Sequence, residues 1–171
     1  DPDKAFQEAD GTLEGPYGIP VITHCCLEPH GQVVEWKGEQ VNIWPSTQNV
    51  SGIPGDLAQA LKVPASNIRS QMQFIGGGFG SKIPHYPEDS MAVFASKTLN
   101  RPVKWTEGRS ENYRSTIHGR DHIQDVEMAA KKDGTIVGLR AQVWASMGAY
   151  LSTASTGIPT ILHGLMLSGI Y

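Results

Sequence analysis

Apolar residues occur in short runs in the first half of the chain, and these runs predict β-strands. Residues 33–36 and 41–44 form two such runs, and residues 37–40 between them have the length of a hairpin turn and include a glycine. In residues 69–75 polar and apolar positions alternate, which is typical of a strand. We therefore expect a hairpin, followed by a strand that leads directly into a glycine-rich loop.

A four-residue spacing of apolar positions predicts the first helix. Ile53, Leu57 and Leu61 recur at this spacing, so their side chains would share one helical face. Ser51 can cap the N-terminus of this helix, and Pro64 ends it.

A second helix is predicted over residues 87–99, and the Arg101-Pro102 pair stops it. Residues 103–106 then predict a short strand. The apolar residues that share one face of this second helix are Met91, Phe94, Ala95 and Leu99.

The remaining segments predict extended chain with one long turn. The Gly- and Pro-rich stretch to about His30 is expected to be extended, and residues 122–150 predict a long antiparallel hairpin. This hairpin turns at residues 132–135, where Asp-Gly supplies the positive φ angles. Residues 156–169 predict the start of another helix. Helices interspersed with hairpins indicate the α+β class, with helices packed on a mixed sheet.

Composition narrows the function classes. The chain has 171 residues, 14 Lys and Arg against 17 Asp and Glu, and a formal net charge of −3, so we expect one domain over residues 1–171 that is neither disordered nor nucleic-acid-binding.

No apolar stretch is long enough to span a membrane. No signal peptide is in view, which favours the cytoplasm over the periplasm. The chain starts at Asp1 and ends at Tyr171 without a turn signal, so we expect a fragment of a longer chain.

The glycine loop, residues 76–80, is the strongest local signal because four of its five residues are glycine. Missing Cβ atoms let a bulky group approach the main chain, and consecutive N–H groups can hold an anion. Ser81 and Ile83 break the two common nucleotide-binding patterns, so a plain strand-to-helix connection is an equal alternative. Phe79 inside the loop is either a plug into the core or a wall beside a ligand, and the local sequence favours the plug.

Other polar residues have ordinary structural explanations. The cluster of His24, Cys25, Cys26, Glu28 and His30 lacks the second ligand pair of a typical zinc site, so a buried strand with packed thiols is favoured. Gln48 is by default a loop residue that satisfies turn backbone. Lys82, His85, Glu88 and Asp89 fit an exposed helix start. A solvated charged face is the expectation for Glu107, Arg109, Glu111, Arg114, Arg120 and Asp121.

An ordered set of motifs runs through nearly the whole chain. It resembles the molybdopterin-binding large subunit of the xanthine dehydrogenase/aldehyde oxidase family, of which this chain would be the first molybdenum-binding portion. The motifs are His24-x-x-Leu27-Glu28-Pro29-His30, Ser46-Thr47-Gln48, Gly76-Gly77-Gly78-Phe79-Gly80-Ser81-Lys82, Arg101-Pro102-Val103, Gly119-Arg120 and Lys132-Asp133-Gly134.

This resemblance implies a hydroxylase that oxidises an aldehyde or N-heterocycle C–H bond with water. It implies molybdopterin with molybdenum, in the cytosine dinucleotide form by the bacterial character of the relatives. Gln48 would hydrogen-bond a molybdenum ligand, and the backbone of Phe79 would approach the metal ligands. The residues implied to bind the cofactor are Gln48, Gly77, Gly78, Phe79 and Gly80.

The resemblance also implies that parts of the enzyme lie outside this chain. Electrons would pass to Fe–S and FAD subunits or domains, and the catalytic base and second cofactor loop would belong to the remainder of the molybdopterin subunit, so we expect the isolated chain to be inactive. Ile83 stands where purine-oxidising members carry Glu, which favours another small-molecule substrate. Two alternatives stay open: a non-catalytic α+β partner-binding module, and a nucleotide-binding enzyme of different chemistry.

Overall fold

The computed structural model describes residues 1–152, 155–167 and 169. The chain divides into two compact units, one formed by Asp1–Ile22 with Gly119–Tyr171 and the other by Thr23–His118. Both contain helices and sheet, which confirms the α+β class. The single domain expected over the whole chain stays a prediction.

The discontinuous unit is built on a three-stranded antiparallel sheet in the order β1-β6-β7. A short helix, α1 (Pro2–Gln7), precedes it and is capped by Asp1, whose carboxylate accepts from two backbone N–H groups. This helix was not predicted, whereas the long hairpin was. The strands are β1 (Gly11–Ile22), β6 (Gly119–Ala130) and β7 (Ile136–Ala145).

The helical start expected near the C-terminus is present in part. One π-helical turn covers Ile158–Leu162, and α5 (His163–Met166) continues it. Ser168 of the predicted helix lies outside the described residues. No described helix combines the length and apolar character needed to cross a membrane.

The continuous unit, Thr23–His118, carries a four-stranded mixed sheet in the order β4-β3-β2-β5. The β2–β3 and β2–β5 pairs are antiparallel, and β3–β4 is parallel. The strands are β2 (Gly31–Lys37), β3 (Gln40–Pro45), β4 (Ile68–Ser70) and β5 (Val103–Thr106), and the helices are α2 (Ile53–Leu61), α3 (Pro87–Leu99) and α4 (Arg109–Ser115), with a 3₁₀ turn at Ala65–Asn67.

The core of this unit lies between one face of the sheet and helices α2 and α3. Alternate residues of β2 and β3 point into it, as the period of two along a strand requires. Burying these side chains is the main favourable contribution to folding. The buried cluster consists of Val34, Val41, Ile43, Ile53, Leu57, Ile68, Ala92 and Val93.

Three local expectations were wrong in this unit. Gly52, not Ser51, precedes α2, and no side chain caps that helix. The helix ends at Leu61, before Pro64, because Lys62 adopts a left-handed conformation with φ of 57°. The strand expected over residues 69–75 is limited to Ile68–Ser70.

The buried face of α3 also differs from the apolar face in the sequence. Val93 and Ser96 are fully buried, whereas Met91, Phe94 and Leu99 are each at least 60% exposed. Ser96 faces the sheet because its hydroxyl donates to the Arg101 carbonyl and accepts from the Trp36 N–H.

Candidate functional site

Gln48 contacts the glycine loop directly. It lies shortly after the end of β3, and its side-chain Oε1 accepts hydrogen bonds from the N–H of Gly80 at 2.9 Å and of Lys82 at 3.3 Å. Its own N–H donates to the Lys82 carbonyl at 2.9 Å. The structure therefore brings together two segments that are more than 30 residues apart in the sequence.

Two glycines of the loop lie where a side chain would collide with a neighbour. A Cβ atom at Gly78 would lie 2.3 Å from Cδ of Gln48, and one at Gly76 would lie 2.4 Å from Cβ of Glu28. Gly77 and Gly80 adopt φ angles of 100° and 101°, which L side chains rarely adopt. Glycine is thus required at Gly76 and Gly78 because neighbouring side chains lie close to the backbone, and at Gly77 and Gly80 because the backbone has a positive φ.

The hydrogen bonds of Gln48 fix which end of its amide faces outward. Because Oε1 is held by two backbone donors, the Nε2 group points away from the loop backbone. Among the described residues, no hydrogen bond uses Nε2 of Gln48 or the N–H groups of Gly77, Gly78 and Phe79. One amide group and three successive backbone N–H groups are thus free to donate to a ligand with acceptor atoms.

Phe79 does not plug the core. Its side chain is 72% exposed, and its backbone has a φ of 54°, which is uncommon for an aromatic residue. The expectation of a plug was wrong because the positive φ turns the ring outward, against the loop at Gly77. The alternative, a wall beside a ligand, fits this exposure.

An ion pair between a buried lysine and a partly exposed glutamate lies beside the loop. The Lys82 side chain has no exposed surface, and its Nζ lies 3.0 Å from Oε2 of Glu28, so the exposed helix start expected for Lys82 was wrong. Burial alone would raise the pKa of Glu28, but hydrogen bonds from Gly76 and Ser46, together with Lys82, lower the pKa below its ordinary value. Glu28 is therefore ionised at neutral pH.

A second buried network surrounds His30. Its Nδ1 lies 2.9 Å from Oε2 of Glu107, and its Nε2 lies 3.2 Å from the Ser81 carbonyl, which also accepts from the Tyr86 hydroxyl at 2.7 Å. Burial alone would raise the pKa of Glu107, but donors from Asn112 and His30 lower the pKa. Glu107 is 4% exposed, so the solvated face expected there was wrong.

Arg109 also departs from that expectation. Its guanidinium donates to the backbone carbonyls of Cys26 and Leu27 at 2.5 and 3.0 Å. These contacts, together with the bond from Lys82 to the Glu28 carbonyl, bind three successive carbonyls to cationic side chains. The backbone of residues 26–28, next to the glycine loop, is therefore held by two cationic side chains.

The cysteines do not pack as a buried strand. Cys26 is buried and its Sγ lies 3.5 Å from the Gly78 carbonyl, whereas Cys25 is exposed with a φ of 49°. Neither lies in a strand. In the described part of the chain, no three His, Cys, Asp or Glu side chains form a group that could hold a metal ion.

A groove of about 510 Å³ lies in the same unit, beside the segment that contains Glu28 and His30. Trp44, Phe74 and Trp105 are among its apolar residues. Neither Gln48 nor the glycine loop lines this groove. The glycine loop therefore lies outside this groove.

The sequence pointed to the residues at the centre of this site, but it did not reveal the charged residues that hold them in place. Gln48 and the glycine loop are brought together as the resemblance implied. The charged residues that support them are Lys82 and Glu107, which are buried, and Glu28, which is partly exposed. The sequence offered one signal for two of these, since Glu28 and Lys82 belong to the motifs of the resemblance.

A glycine loop held against an oriented amide exposes backbone to close approach by a bulky or anionic group, and this defines a candidate ligand-binding domain of the α+β class. The chain matches the molybdopterin cofactor-binding domain family over residues 1–171, and it belongs to that family.

Similar proteins include large subunits of several oxidoreductases. The chain is 32% identical over 143 residues to the aldehyde oxidoreductase molybdenum-binding subunit PaoC of Escherichia coli, which covers 84% of the chain and 20% of that protein. It is 36% identical over 151 residues to the carbon monoxide dehydrogenase large chain of Hydrogenophaga pseudoflava, covering 86% and 19%. The structure of quinoline 2-oxidoreductase from Pseudomonas putida superimposes with a TM-score of 0.72 at 26% identity, covering 85% and 19%. The chain spans about a fifth of the length of these relatives.

Proposed function

We propose that this chain is the first cofactor-binding part of a molybdenum hydroxylase subunit. The observation that carries the proposal is the contact between Gln48 and the glycine loop, in which Nε2 and three loop N–H groups have no hydrogen-bond partner among the described residues. Family membership supports the identity of the group that these donors would meet. The alternative of a plain connecting loop does not explain why Gly78 leaves space for the Gln48 amide.

The residues present fit a molybdopterin cofactor. Gln48 and Phe79 would lie beside the metal and contact its ligands without binding it, and Gly77, Gly78 and Gly80 would let the pterin and the ligands approach the backbone. Gly80 contributes mainly by holding Gln48, because its own N–H already donates to Oε1. When bound, the cofactor supplies a two-electron oxidation of a C–H bond with oxygen taken from water.

The contribution of this chain is a set of hydrogen-bond donors that are fixed before substrate arrives. Gln48 needs no reorientation, because its carbonyl end is anchored by two backbone groups. Donors that are already in place stabilise a developing negative charge without the cost of reorganising solvent. Phe79 would place its exposed aromatic ring beside the bound cofactor.

The substrate is proposed to be an aldehyde or an N-heterocycle rather than a purine. Ile83 is 46% exposed beside the loop, and an aliphatic side chain offers no hydrogen bond to a purine edge. Relatives named for aldehyde, carbon monoxide and quinoline support a broad substrate range in such proteins.

Partners are proposed from the names of the relatives, which are a molybdenum-binding subunit and a large chain. The remainder of the molybdopterin subunit would supply the catalytic base, and Fe–S and FAD subunits would accept the electrons. The pterin is proposed to carry the cytosine dinucleotide, and the assembly to be cytoplasmic. The isolated chain is proposed to be inactive.

Metal analysis of the intact protein that carries this chain tests the proposal. We expect about one molybdenum per subunit in the wild type and about tenfold weaker retention in Gln48→Met, because residues that support metal ligands typically contribute 10–100-fold to affinity. The matched control is Gln59→Met, which makes the same change on the exposed surface of α2.

Two results would contradict the proposal. One is a wild-type protein without molybdenum or pterin after expression in a host that makes the cofactor. The other is equal molybdenum retention in Gln48→Met and Gln59→Met, since the Gln48 amide would then have no part in the site. A nucleotide that raises the melting temperature of a molybdenum-free wild type would favour nucleotide-binding chemistry instead.

A further inference from the structure

Lys82 is the largest fully buried side chain among the described residues, and it is charged. Its Nζ donates to the backbone carbonyl of Glu28 at 2.8 Å and to Oε2 of the same residue at 3.0 Å. A buried ammonium group is costly unless it is paired and hydrogen-bonded. The two bonds to Glu28 supply this pairing for Lys82.

The carboxylate of Glu28 joins three separate segments at one oxygen. Oε2 accepts from the N–H of Gly76 at 2.7 Å, from the Ser46 hydroxyl at 2.8 Å and from Lys82. The N–H of Glu28 in turn donates to the Gly76 carbonyl at 3.2 Å. Gly76 begins the glycine loop, and Lys82 lies two residues after its end, so the Glu28–Lys82 pair closes the base of that loop.

The same pair also reaches Gln48. The backbone of Lys82 donates to Oε1 of Gln48 and accepts from the Gln48 N–H, and the Thr47 hydroxyl donates to the Lys82 carbonyl at 3.0 Å. Ser46, bound by Glu28, lies two residues before Gln48. Both the loop and the amide that contacts it are thus attached to one ion pair, whose lysine is fully buried.

We propose that Glu28 and Lys82 are positioning residues that hold Gln48 and the glycine loop in the geometry required for cofactor binding. This inference rests on the proposed function. Oε2 of Glu28 and Nζ of Lys82 bond to each other and to the Glu28 carbonyl, Ser46 and Gly76, and neither bonds to Gln48 directly. Their effect on the cofactor passes through Gln48, Gly76 and Gly80.

Native-state hydrogen exchange of the cofactor-free intact protein tests the positioning without molybdenum. In Glu28→Gln a neutral amide replaces the carboxylate at the same size, and the side chain is partly exposed, so the fold should survive. We expect the N–H groups of Gly76 and Gly80 to exchange about tenfold faster, the factor typical of a weakened charge-assisted hydrogen bond. Exchange in the β2–β3 hairpin should stay unchanged. The matched control, Glu127→Gln, removes a carboxylate from an ion pair with Arg140 in the other unit.

Cofactor retention supplies the second measurement. Glu28→Gln should lower molybdenum retention about tenfold. The loss should be smaller when Gln48→Met is already present, because Glu28 acts on the cofactor through the position of Gln48. Lys82→Met, which keeps the apolar stem in the buried space, should show the same pattern.

Three outcomes would overturn the inference. The first is unchanged exchange at Gly76 and Gly80, and the second is faster exchange that spreads equally over β2 and β3. The third is a double variant whose loss of molybdenum retention equals the product of the losses in Glu28→Gln and Gln48→Met. If the wild type holds no molybdenum, the proposed function fails. The exchange measurement still decides whether the pair holds the loop, so the two failures are distinguishable.

Discussion

At the scale of single residues, Gly78 controls the position of the Gln48 amide. A methyl group there would overlap Cδ, Oε1 and Cγ of Gln48, all within 2.5 Å of the added Cβ. We expect Gly78→Ala to displace the amide and to lower molybdenum retention in the intact protein about tenfold. The same substitution at Gly55, where a Cβ meets nothing within 4 Å, should leave retention unchanged, and equal effects of the two substitutions would argue against a steric role for Gly78.

Glu107 should make the stability of its network depend on pH. Its pKa in the folded protein is lowered from the ordinary value of 4.5, so its contribution is present above that value and is lost as the pH falls through the lowered pKa. We expect Glu107→Gln to destabilise the protein most above about pH 5 and progressively less below about pH 4. Hydrogen exchange of the amides near His30, measured for both proteins over this pH range, gives the free energy of local opening and checks the pH dependence. A deficit that is independent of pH would show that the carboxylate is not ionised in the network.

The identity of a residue did not reveal whether its charge is buried. Glu107 stands in a stretch rich in charged residues, which is typical of surface, yet it is enclosed by His30, a partner 77 positions away. Lys82 has its partner 54 positions away. Such pairing depends on the tertiary fold and leaves no local pattern. The motif order, in contrast, was enough to propose Gln48 and the glycines as cofactor-binding residues, and that role stays a prediction.

At the scale of secondary structure, local signals predicted most elements in the continuous unit. The bounds of α3 and β5 agree with the sequence because Pro87 begins the helix and Asn100, in a left-handed conformation, ends it before Arg101-Pro102. The strand over residues 69–75 failed beyond Ser70, since alternation alone does not supply a neighbouring strand to pair with. Periodicity identified α3 but chose the wrong buried face, because Ser96 is satisfied by backbone partners.

Substitution of one leucine in α2 and one in α3 tests which helical surfaces belong to the core. Leu57 in α2 is fully buried, whereas Leu99 at the end of α3 is 62% exposed. We expect Leu57→Ala to lower the free energy of unfolding of this unit by about 2–5 kcal/mol and Leu99→Ala to change it by no more than about 0.5 kcal/mol. Hydrogen exchange of the amides in β3 measures both, and a cost for Leu99→Ala as large as that for Leu57→Ala would contradict this assignment of the core.

At the scale of the whole molecule, the segment Thr23–His118 contains its own sheet, helices, core and both buried polar networks. Its length is within the usual range of autonomous domains. We expect this segment, expressed alone, to fold and to give a well-dispersed amide spectrum by NMR. A spectrum with collapsed dispersion would mean that the segment needs the rest of the chain to fold.

The family could be identified from the sequence because its motifs are distributed over the whole chain in a fixed order. The match over residues 1–171 confirms that identification. The division into two units could not be foreseen, because β1 and β6 pair across almost a hundred intervening residues. Hydrophobic patterns report neighbours along the chain and not partners at that separation.

The pairing of Ile22 with Gly119 has a consequence for engineering and for divergence among relatives. Opposed residues of antiparallel strands lie about 5 Å apart, so the polypeptide leaves β1 and re-enters β6 at almost the same point. Everything between these two junctions is an insert with adjoining ends, and such inserts can be exchanged without altering the register of the sheet that hosts them. A chimaera spliced at Ile22 and Gly119 would thus transplant the entire glycine loop, Gln48 and their buried supports as a single cassette.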